Sequence, residues 1–333
     1  MQTNTEQKTA VLAAAAAAVA VIFIAVLVLS APGPIEKITL AINPVPPSAL
    51  VFIAEEKGFF SEEGLSVEYA NFQTGKLALD ALLGGGAEIS TTADVPIALA
   101  GLAGQEFKVV ATIGWSKTDV QVVARKDSGI SSPSDLGGKK IATTHGNGPM
   151  FFTHKFLEAN NIALSEVNIT YMLPSDMVVA LSKGELDAII IFGPYNLKAR
   201  ELLGKNALVF SPDDIYGETW NIVASKEYAK KNPEGIRRFL RALLKAENFL
   251  KSNKQEAIEI AAKQSNLEKS IVESDLDLWN IELVLNTVLT DYLDLEAEWA
   301  IEKGISKSTS LPDYGKLIDP SFLRELKPEA VST

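Results

Sequence analysis

The chain has 333 residues, of which 47% are hydrophobic and 22% charged, and its formal net charge is −11. This length allows a large core and suggests two domains, while the acidic balance disfavours nucleic-acid partners, which require a basic face. The sequence has no cysteine and only two histidines, which excludes disulfides, thiolate sites, cysteine nucleophiles and multi-histidine metal centres. We therefore expect neither a metal nor a cofactor.

The N-terminal segment is strongly apolar. Residues 11–31 form an apolar run whose one polar residue is Ser30. About 20 such residues can span a bilayer, whereas the hydrophobic part of a cleaved signal usually has about 7–15. Residues 1–34 are therefore predicted to be a transmembrane or signal helix. The length favours a retained anchor, whereas Val28 and Ser30 fit a cleavage site. Either alternative places the remainder outside the cytoplasm, as a membrane-anchored or secreted protein.

The next part of the chain alternates between strands and helices. Alternating apolar residues predict a strand over 36–42, and Ser48 is placed to cap a helix over 49–57 that ends at Gly58. The same reasoning predicts strands at 65–69, from 88 and at 107–113, with helices at 77–83 and 97–103. Such alternation is typical of a mostly parallel sheet.

The same order returns further along the chain. Residues 139–143 predict a strand, residues 144–148 a glycine-rich turn, and Pro149 the start of a helix. Such a turn directs backbone N–H groups and a helix dipole beyond the end of the strand, although its glycines can also serve tight packing alone. A strand at 168–172, a helix at 177–183 and a strand at 188–192 complete the second series.

A short patch repeats by residue type. The same residue types return 99 residues later: Ala81, Leu82, Gly85 and Glu88 correspond to Ala180, Leu181, Gly184 and Asp187. The repeat predicts two α/β lobes, although convergent turn sequences are an alternative explanation. Open α/β sheets bind ligands beyond the carboxyl ends of their strands, so two facing lobes would form a binding cleft.

Two segments are predicted to cross between the lobes, at residues 119–125 and 219–225. The resulting domains are a first lobe of residues 35–122 and 222–333 and a second lobe of residues 123–221. After Asn232 the chain is predicted to be mostly helical, beginning with a long helix that has one apolar stripe. The acidic run at 294–298 is interpreted as a solvated helix face.

Binding fits the sequence better than catalysis. The chain has no phosphate-binding loop, Gly-x-Ser-x-Gly elbow or dinucleotide fingerprint. His145, in the glycine-rich turn at residues 144–148 (the central turn), is either a general base or, as we prefer, a hydrogen-bonding or capping residue. We therefore predict a protein that is not an enzyme.

The turns that face the predicted cleft carry hydroxyls, small residues and aromatic rings. The predicted ligand-binding residues are Pro47, Ser48, Thr74, Thr92, Ala93, Asp94, Trp115, Thr144, His145, Gly146, Asn147, Gly148, Ser175, Phe192, Gly193, Tyr195 and Trp220. Hydroxyls, backbone N–H groups and helix N-termini can together hold an oxyanion. Asp94 leaves two alternatives, because in the cleft it would favour a cationic or donor group, whereas as a helix cap it would say nothing about the ligand.

Several segments together resemble a known family. They are AEEKGFFSEEGLSVE at 54–68, ALLGGGAEI at 81–89, SPSDLGGKKIA at 132–142, NPEGIRRFLRALLKA at 232–246 and IDPSFL at 318–323. These segments are similar to those of the extracytoplasmic solute-binding proteins of ABC importers of the nitrate/sulfonate/taurine type. The resemblance covers about residues 36–325.

The resemblance implies an α/β, two-lobe hinged fold of the type II periplasmic-binding-protein kind. It also implies capture of a small organic or oxyanionic solute, delivery to an ABC permease and its ATPase, and a monomer. The lipidation cysteine of many members is absent. A thiamine-pyrimidine or menaquinone biosynthetic enzyme of the same fold, or a membrane-attached sensor domain, remains an alternative, although the cysteine-rich motif of the pyrimidine synthases is missing.

Overall fold

A computed structural model describes residues 35–332 of the chain. The predicted anchor or signal segment, residues 1–34, lies outside the described residues. Within residues 35–332 no helix has the length and apolar character needed to cross a membrane.

The described strands form two large sheets and one short pair. In chain order they are β1 (Glu36–Ile42), β2 (Leu65–Asn71), β3 (Ile89–Ala93), β4 (Phe107–Ser116), β5 (Gln121–Arg125), β6 (Lys140–Thr143), β7 (Asn168–Tyr171), β8 (Ala188–Ile191), β9 (Ala207–Phe210), β10 (Glu218–Ser225), β11 (Leu285–Asn286) and β12 (Val331–Ser332). The first sheet has the order β2-β1-β3-β10-β4 and the second β7-β6-β8-β5-β9. In the first described sheet β10 runs opposite to the other four strands, and in the second β5 runs opposite to the other four.

Helices connect the strands and form most of the C-terminal part. They are α1 (Ala49–Glu56), α2 (Phe59–Glu62), α3 (Gly75–Leu83), α4 (Asp94–Leu102), α5 (Gly148–Ala159), α6 (Pro174–Ser182), α7 (Tyr195–Leu203), α8 (Lys226–Lys231), α9 (Pro233–Ser252), α10 (Lys254–Ser265), α11 (Lys269–Leu276), α12 (Thr287–Glu302) and α13 (Ser321–Leu326). The two sheets with connecting helices confirm the predicted α/β class.

The repeated patch has the same structure in both halves. It covers the end of α3 and the turn before β3 in one half, and the end of α6 and the turn before β8 in the other. Gly85 and Gly184 both adopt left-handed backbone angles, with φ of 79° and 78°. Glycine is retained there because side chains disfavour that conformation.

The acidic residues that close the two patches also have equivalent roles. Glu88 Oε2 accepts a hydrogen bond from Thr39 N at 2.7 Å, and Asp187 Oδ2 accepts one from Lys140 N at 2.8 Å. In each half, the acid before the third strand therefore binds the backbone of the first strand. This shared contact explains why a carboxylate occupies both positions.

Two local expectations require correction. Ser48 precedes α1 but makes no capping bond with its side chain; its hydroxyl instead donates to Asn43 O at 3.1 Å. Helix α4 begins at Asp94 rather than at residue 97, because proline is readily accommodated in the first turn of a helix. The strand β9 and the helices α2, α8 and α13 were not predicted.

The crossings between the sheets lie beside the segments predicted for them. Strand β5 joins the second sheet from Gln121, and β10 joins the first sheet from Glu218. Residues 119–125 and 219–225 are therefore mainly sheet strands, and the chain crosses at residues 117–120 and 211–217. These are called the crossing segments below.

The apolar stripe of α9 lies in the core, as its periodicity predicts. Ile236, Phe239, Leu240 and Leu243 are each fully buried, and α9 packs against α1 and α2. The rings of Phe60 and Phe239 stack with centroids 5.0 Å apart and an interplanar angle of 25°.

We expect Phe239→Ala to reduce the free energy of unfolding by about 3–5 kcal/mol, because removing a buried ring leaves a cavity. Urea unfolding measures the change. Leu202→Ala is the control, since Leu202 is 62% exposed and should change stability by less than about 0.5 kcal/mol. Similar losses in both variants would contradict the assignment of Phe239 to the core.

Candidate functional site

The carboxyl ends of the parallel strands in the two sheets face one another. Asn43 follows β1 and Ala93 ends β3, while Asn147 follows β6 and Gly193 follows β8. All four residues line one enclosed cavity, which is where open α/β sheets place their ligands. We call it the inner cavity.

The two halves of the molecule are in contact around this cavity. Lys76 N donates to Asn147 Oδ1 at 3.3 Å, and Ser175 Oγ donates to Gln73 Oε1 at 3.1 Å. The inner cavity has a volume of about 10 Å³, roughly the least that holds one water molecule. The arrangement is therefore closed, and a larger solute requires the two sheets to lie further apart.

The inner cavity brings together residues from both halves. Those predicted from the sequence are Pro47, Ala93, Asn147, Phe192, Gly193 and Trp220; those not predicted are Asn43, Val45, Gly75, Asp119, Glu218 and Trp279. Asp119 is the first residue of a predicted crossing between the lobes, and this position could have identified it as a cavity residue. Trp279 follows α11 in the C-terminal part, and no sequence motif connects it with the cleft.

A second, more open pocket of about 340 Å³ adjoins the inner cavity, and we call it the outer pocket. The predicted residues Thr74, Thr144 and His145 line it together with Lys76. Asn147 lines both spaces. A larger depression of about 680 Å³ lies at the opposite end of the first sheet and contains none of the predicted residues.

Some predicted residues lie close behind the cavity wall. Ser48 Oγ accepts a hydrogen bond from Trp220 Nε1 at 3.0 Å, and Thr92 Oγ1 is buried without a partner. Tyr195 packs edge-on against Phe192, with ring centroids 5.7 Å apart. These residues support the walls rather than line the inner cavity.

The central turn occupies the boundary between the halves. Gly146 has a φ of 70°, and a Cβ there would lie 2.9 Å from the Lys76 side chain. Gly148 begins α5, and a Cβ there would lie 2.6 Å from Tyr216 Oη and 2.9 Å from Glu218 Oε1. The positive end of α5 therefore lies near a carboxyl group of the chain itself.

Trp115 and Ser175 lie at neither the inner cavity nor the outer pocket. Trp115 is 39% exposed near the end of β4, and Ser175 is an exposed residue of α6. The proximity of Trp115 to a crossing in sequence did not bring its side chain into the cavity.

Asp94 connects α4 to the second crossing segment and β10. Its Oδ1 accepts hydrogen bonds from Val95 N at 2.9 Å and Tyr216 Oη at 2.7 Å. Its Oδ2 accepts bonds from Thr219 N at 2.7 Å and Thr219 Oγ1 at 3.0 Å. The carboxylate is thus fully engaged and does not line the inner cavity.

Glu296 corrects the interpretation of residues 294–298 as a solvated face. Its side chain is only 1% exposed, and burial together with the neighbouring Asp94 raises its pKa well above the ordinary value. Burial likewise raises the pKa of Asp94, although the donors from Tyr216 and Thr219 oppose the change.

A second group of buried carboxyls surrounds the inner cavity. Asp119 Oδ1 accepts bonds from Trp279 Nε1 at 3.1 Å and Gly193 N at 3.3 Å. Glu218 Oε2 and both oxygens of Asp275 are buried without partners. Among the described residues that line the cavity, none is a lysine, arginine or histidine.

These carboxyls are harder to ionise than ordinary ones. Burial raises the pKa of Asp119 to about 6, with Trp279 and Gly193 acting in the opposite direction. Burial and the nearby charge of Asp119 raise the pKa of both Glu218 and Asp275 well above their usual range. Within residues 35–332 no group of three or more His, Asp or Glu side chains is arranged to hold a metal ion.

Residues 45–257 match the family described as NMT1/THI5 like. The chain belongs to this family. The match covers more than half of the sequence, and it confirms the resemblance that the sequence segments indicated.

Curated relatives and solved structures agree with the family. An aliphatic sulfonates-binding protein of Bacillus subtilis (strain 168), named as putative, is 26% identical over 83% of this chain and 84% of its own length. The taurine-binding periplasmic protein of Escherichia coli (strain K12) is 25% identical over 57% of this chain and 59% of its own. The MOPS-bound alkanesulfonate-binding protein of Xanthomonas axonopodis pv. citri has a TM-score of 0.75 at 17% identity, covering 87% of this chain and all of that one. These likenesses confirm the predicted two-lobe solute-binding-protein fold.

Enzymes also use this fold. A desulfurization enzyme matches with a TM-score of 0.65 at 14% identity, over 88% of this chain and 99% of that chain. The fold alone therefore does not separate binding from catalysis, whereas the curated relatives described above are named as binding proteins.

We expect Gly193→Ala to prevent closure. The added methyl group would lie 1.7 Å from Asp275 Oδ1 and 2.9 Å from Asp119 Oδ1, too close for the present arrangement. The variant should unfold cooperatively but lose the thermal shift given by any solute that stabilises the wild type. Gly137→Ala is the control, because no atom lies within 4 Å of its added Cβ; an unchanged shift in Gly193→Ala would show that the cavity does not need to close.

We expect the stability advantage of Glu218→Gln over the wild type to increase from pH 5 to pH 8. A carboxyl whose folded pKa is raised stabilises the protein below its unfolded pKa of about 4.3, and this contribution is lost as the pH rises towards the folded value. Glutamine keeps the shape without ionising. Melting temperatures should differ by roughly 2 °C or more at pH 8 and by less at pH 5. Exposed Glu185, changed to Gln, is the control, and a pH-independent difference for Glu218→Gln would contradict its raised pKa.

Proposed function

We propose that the chain is the extracytoplasmic solute-binding component of an ABC importer. It captures a small organic or oxyanionic solute, of the sulfonate, taurine or nitrate type, between two lobes and delivers it to a permease. The observation that supports this most strongly is the enclosed cavity between the facing carboxyl ends of two sheets. Membership of a family whose relatives are named as sulfonate- and taurine-binding proteins supports the same proposal.

The proposed mechanism is closure about the crossing segments, residues 117–120 and 211–217. A solute stabilises a closed form in which the two halves lie slightly further apart than in the described arrangement, because it contacts both halves only when they are brought together around it. Residues 35–116 and 226–332, with β10, form the first lobe, and residues 121–210 form the second. The bonds of Asp94 to Tyr216 and Thr219 hold the end of one crossing segment to the first lobe, so the bending that accompanies closure falls on the residues before Tyr216.

The predicted site residues divide between two tasks in this proposal. Residues of the inner cavity, such as Asn147, Phe192 and Trp220, contact the solute directly. Thr74, Thr144 and His145 line its entrance in the outer pocket. Trp115 and Ser175 are left out of the proposed contact surface because they lie at neither space.

The proposed partners and location follow from the importer role. The solute-loaded protein would bind a permease with its ATPase outside the cytoplasm, as a monomer, and residues 1–34 would anchor it or direct its export. The name of the E. coli relative, a periplasmic protein, supports this location. Delivery requires release, so the closed form must reopen at the permease.

Catalysis has less support than binding. Among the described residues, no Ser or Thr hydroxyl and no carboxylate bonds to the ring of His145, which instead packs edge-on to Tyr171 with centroids 5.0 Å apart. A base without an orienting partner or an adjacent nucleophile lacks the usual arrangement for covalent catalysis. We therefore propose that the chain is not an enzyme.

Thermal unfolding of the purified full chain tests the proposal against nitrate, bicarbonate, alkanesulfonates, taurine, carboxylates and pyrimidines. A solute at 100 times its dissociation constant adds about 2.7 kcal/mol, which should raise the melting temperature by a few degrees. The shift should disappear in Gly193→Ala. Conversion of a stabilising compound into a product, abolished by His145→Ala, would instead favour an enzyme.

A further inference from the structure

The described residues line the inner cavity with carboxyl groups and with no cationic side chain. Asp119 and Glu218 line it, and a Cβ added at Gly193, another lining residue, would lie 1.7 Å from Asp275 Oδ1. Glu218 is 5% exposed and Asp275 is fully buried. Among the described residues, no backbone or side-chain N–H or hydroxyl group bonds to Glu218 Oε2 or to either Asp275 oxygen, and a polar neighbour of Glu218 is the carboxyl of Asp119. Buried polar groups are normally paired, and an unpaired buried carboxylate is costly.

The helix terminus that could hold an anion is already beside a carboxyl group. Glu218 Oε1 lies close to Gly148, the first residue of α5. An oxyanion placed in the inner cavity would therefore meet Asp119 and Glu218 with no lysine or arginine among the described lining residues to offset them. Like charges at such distances repel strongly in a water-poor site.

Aromatic rings complete the wall. Trp220, Trp279 and Phe192 line the cavity together with the carboxyls. The indole N–H groups of both tryptophans are already engaged, Trp220 with Ser48 and Trp279 with Asp119. What these rings can still offer a ligand is their π-systems, which attract cations within about 6 Å.

We propose that the solute carries an organic cation, a protonated amine or amidine, and that this group lies in the inner cavity against Asp119 and Glu218, with Asp275 buried behind Gly193. This inference rests on the proposed solute-binding function and names the chemistry of the solute for it. The cation is organic because the described residues contain no metal-binding group. The rest of the solute extends past Asn147 into the outer pocket, where hydroxyls and Lys76 accept a polar or anionic end.

Cation binding at this site should depend on pH. The raised pKa values of Asp119, Glu218 and Asp275 mean that these carboxyls hold protons more tightly than usual in the ligand-free protein. An arriving cation competes with those protons. Affinity for the cation should therefore rise between pH 5 and pH 8, in the range where Asp119 ionises. The other ionisable groups around the site are Asp94, Tyr216 and Glu296 of the neighbouring cluster. Lys76, His145 and Tyr171 line the outer pocket.

Matched pairs of small probes test the inference by calorimetry and thermal unfolding of the full chain. Two pairs differ in the amine alone, taurine with ethanesulfonate and β-alanine with propionate. In the third pair, benzylamine with benzyl alcohol, a neutral hydroxyl replaces the amine. We expect at least one amine to bind and its partner to bind about 30-fold more weakly or not at all, the usual loss when a buried charge pair is broken. The bound amine should bind more tightly at pH 8 than at pH 5.

Variants separate a ligand contact from a structural role. Glu218→Gln should bind the amine about 30-fold more weakly, and at pH 8 it should melt no lower than the wild type. The exposed control Glu185→Gln should change neither the amine affinity nor the melting temperature. Equal binding of an amine and its amine-free partner, or unchanged amine affinity in Glu218→Gln, would overturn the inference and leave the proposed function standing. Binding of nitrate or a simple sulfonate but of no amine would do the same. No binding by any probe of either class would count against both.

Discussion

The carboxylate of Asp94 fixes the geometry on which the site depends. It is fully buried and accepts hydrogen bonds from Val95, Tyr216 and Thr219. These bonds set where the second crossing segment ends and where β10 enters the first sheet. Strand β10 then carries Glu218 and Trp220 to the inner cavity. Breaking the hydrogen bonds of a buried carboxylate costs much free energy. These bonds therefore hold the wall of the site in place on the side of the first lobe.

Most of the fold could be predicted from local sequence patterns. Alternating apolar residues gave β1, and turn glycines such as Gly85 and Gly184 marked equivalent points in the two halves. These signals are local, since each depends on periodicity or on backbone conformation. Short elements such as β9 and α13 were missed because few residues cannot establish a period.

The candidate site was only partly predictable, for a related reason. Turns after parallel strands indicated Ala93, Asn147 and Gly193, because the topology alone places those turns at the cavity. Trp279 reaches the cavity from a C-terminal segment whose path no local pattern specifies. The charge of the cavity was equally hidden, since an isolated acidic residue gives no sign of whether its carboxyl meets water, a cation or another acid.

The position of β10 also affects the order in which the protein can form. It lies between β3 and β4 and pairs with both, yet it is made about a hundred residues after β4. A growing chain therefore holds β4 without a neighbour in its sheet until the whole second sheet has been synthesised. Such long-range pairing is slow to form and leaves strand edges open meanwhile. In the proposed extracytoplasmic role, late completion of the first sheet would leave more of the chain unfolded while it passes across the membrane.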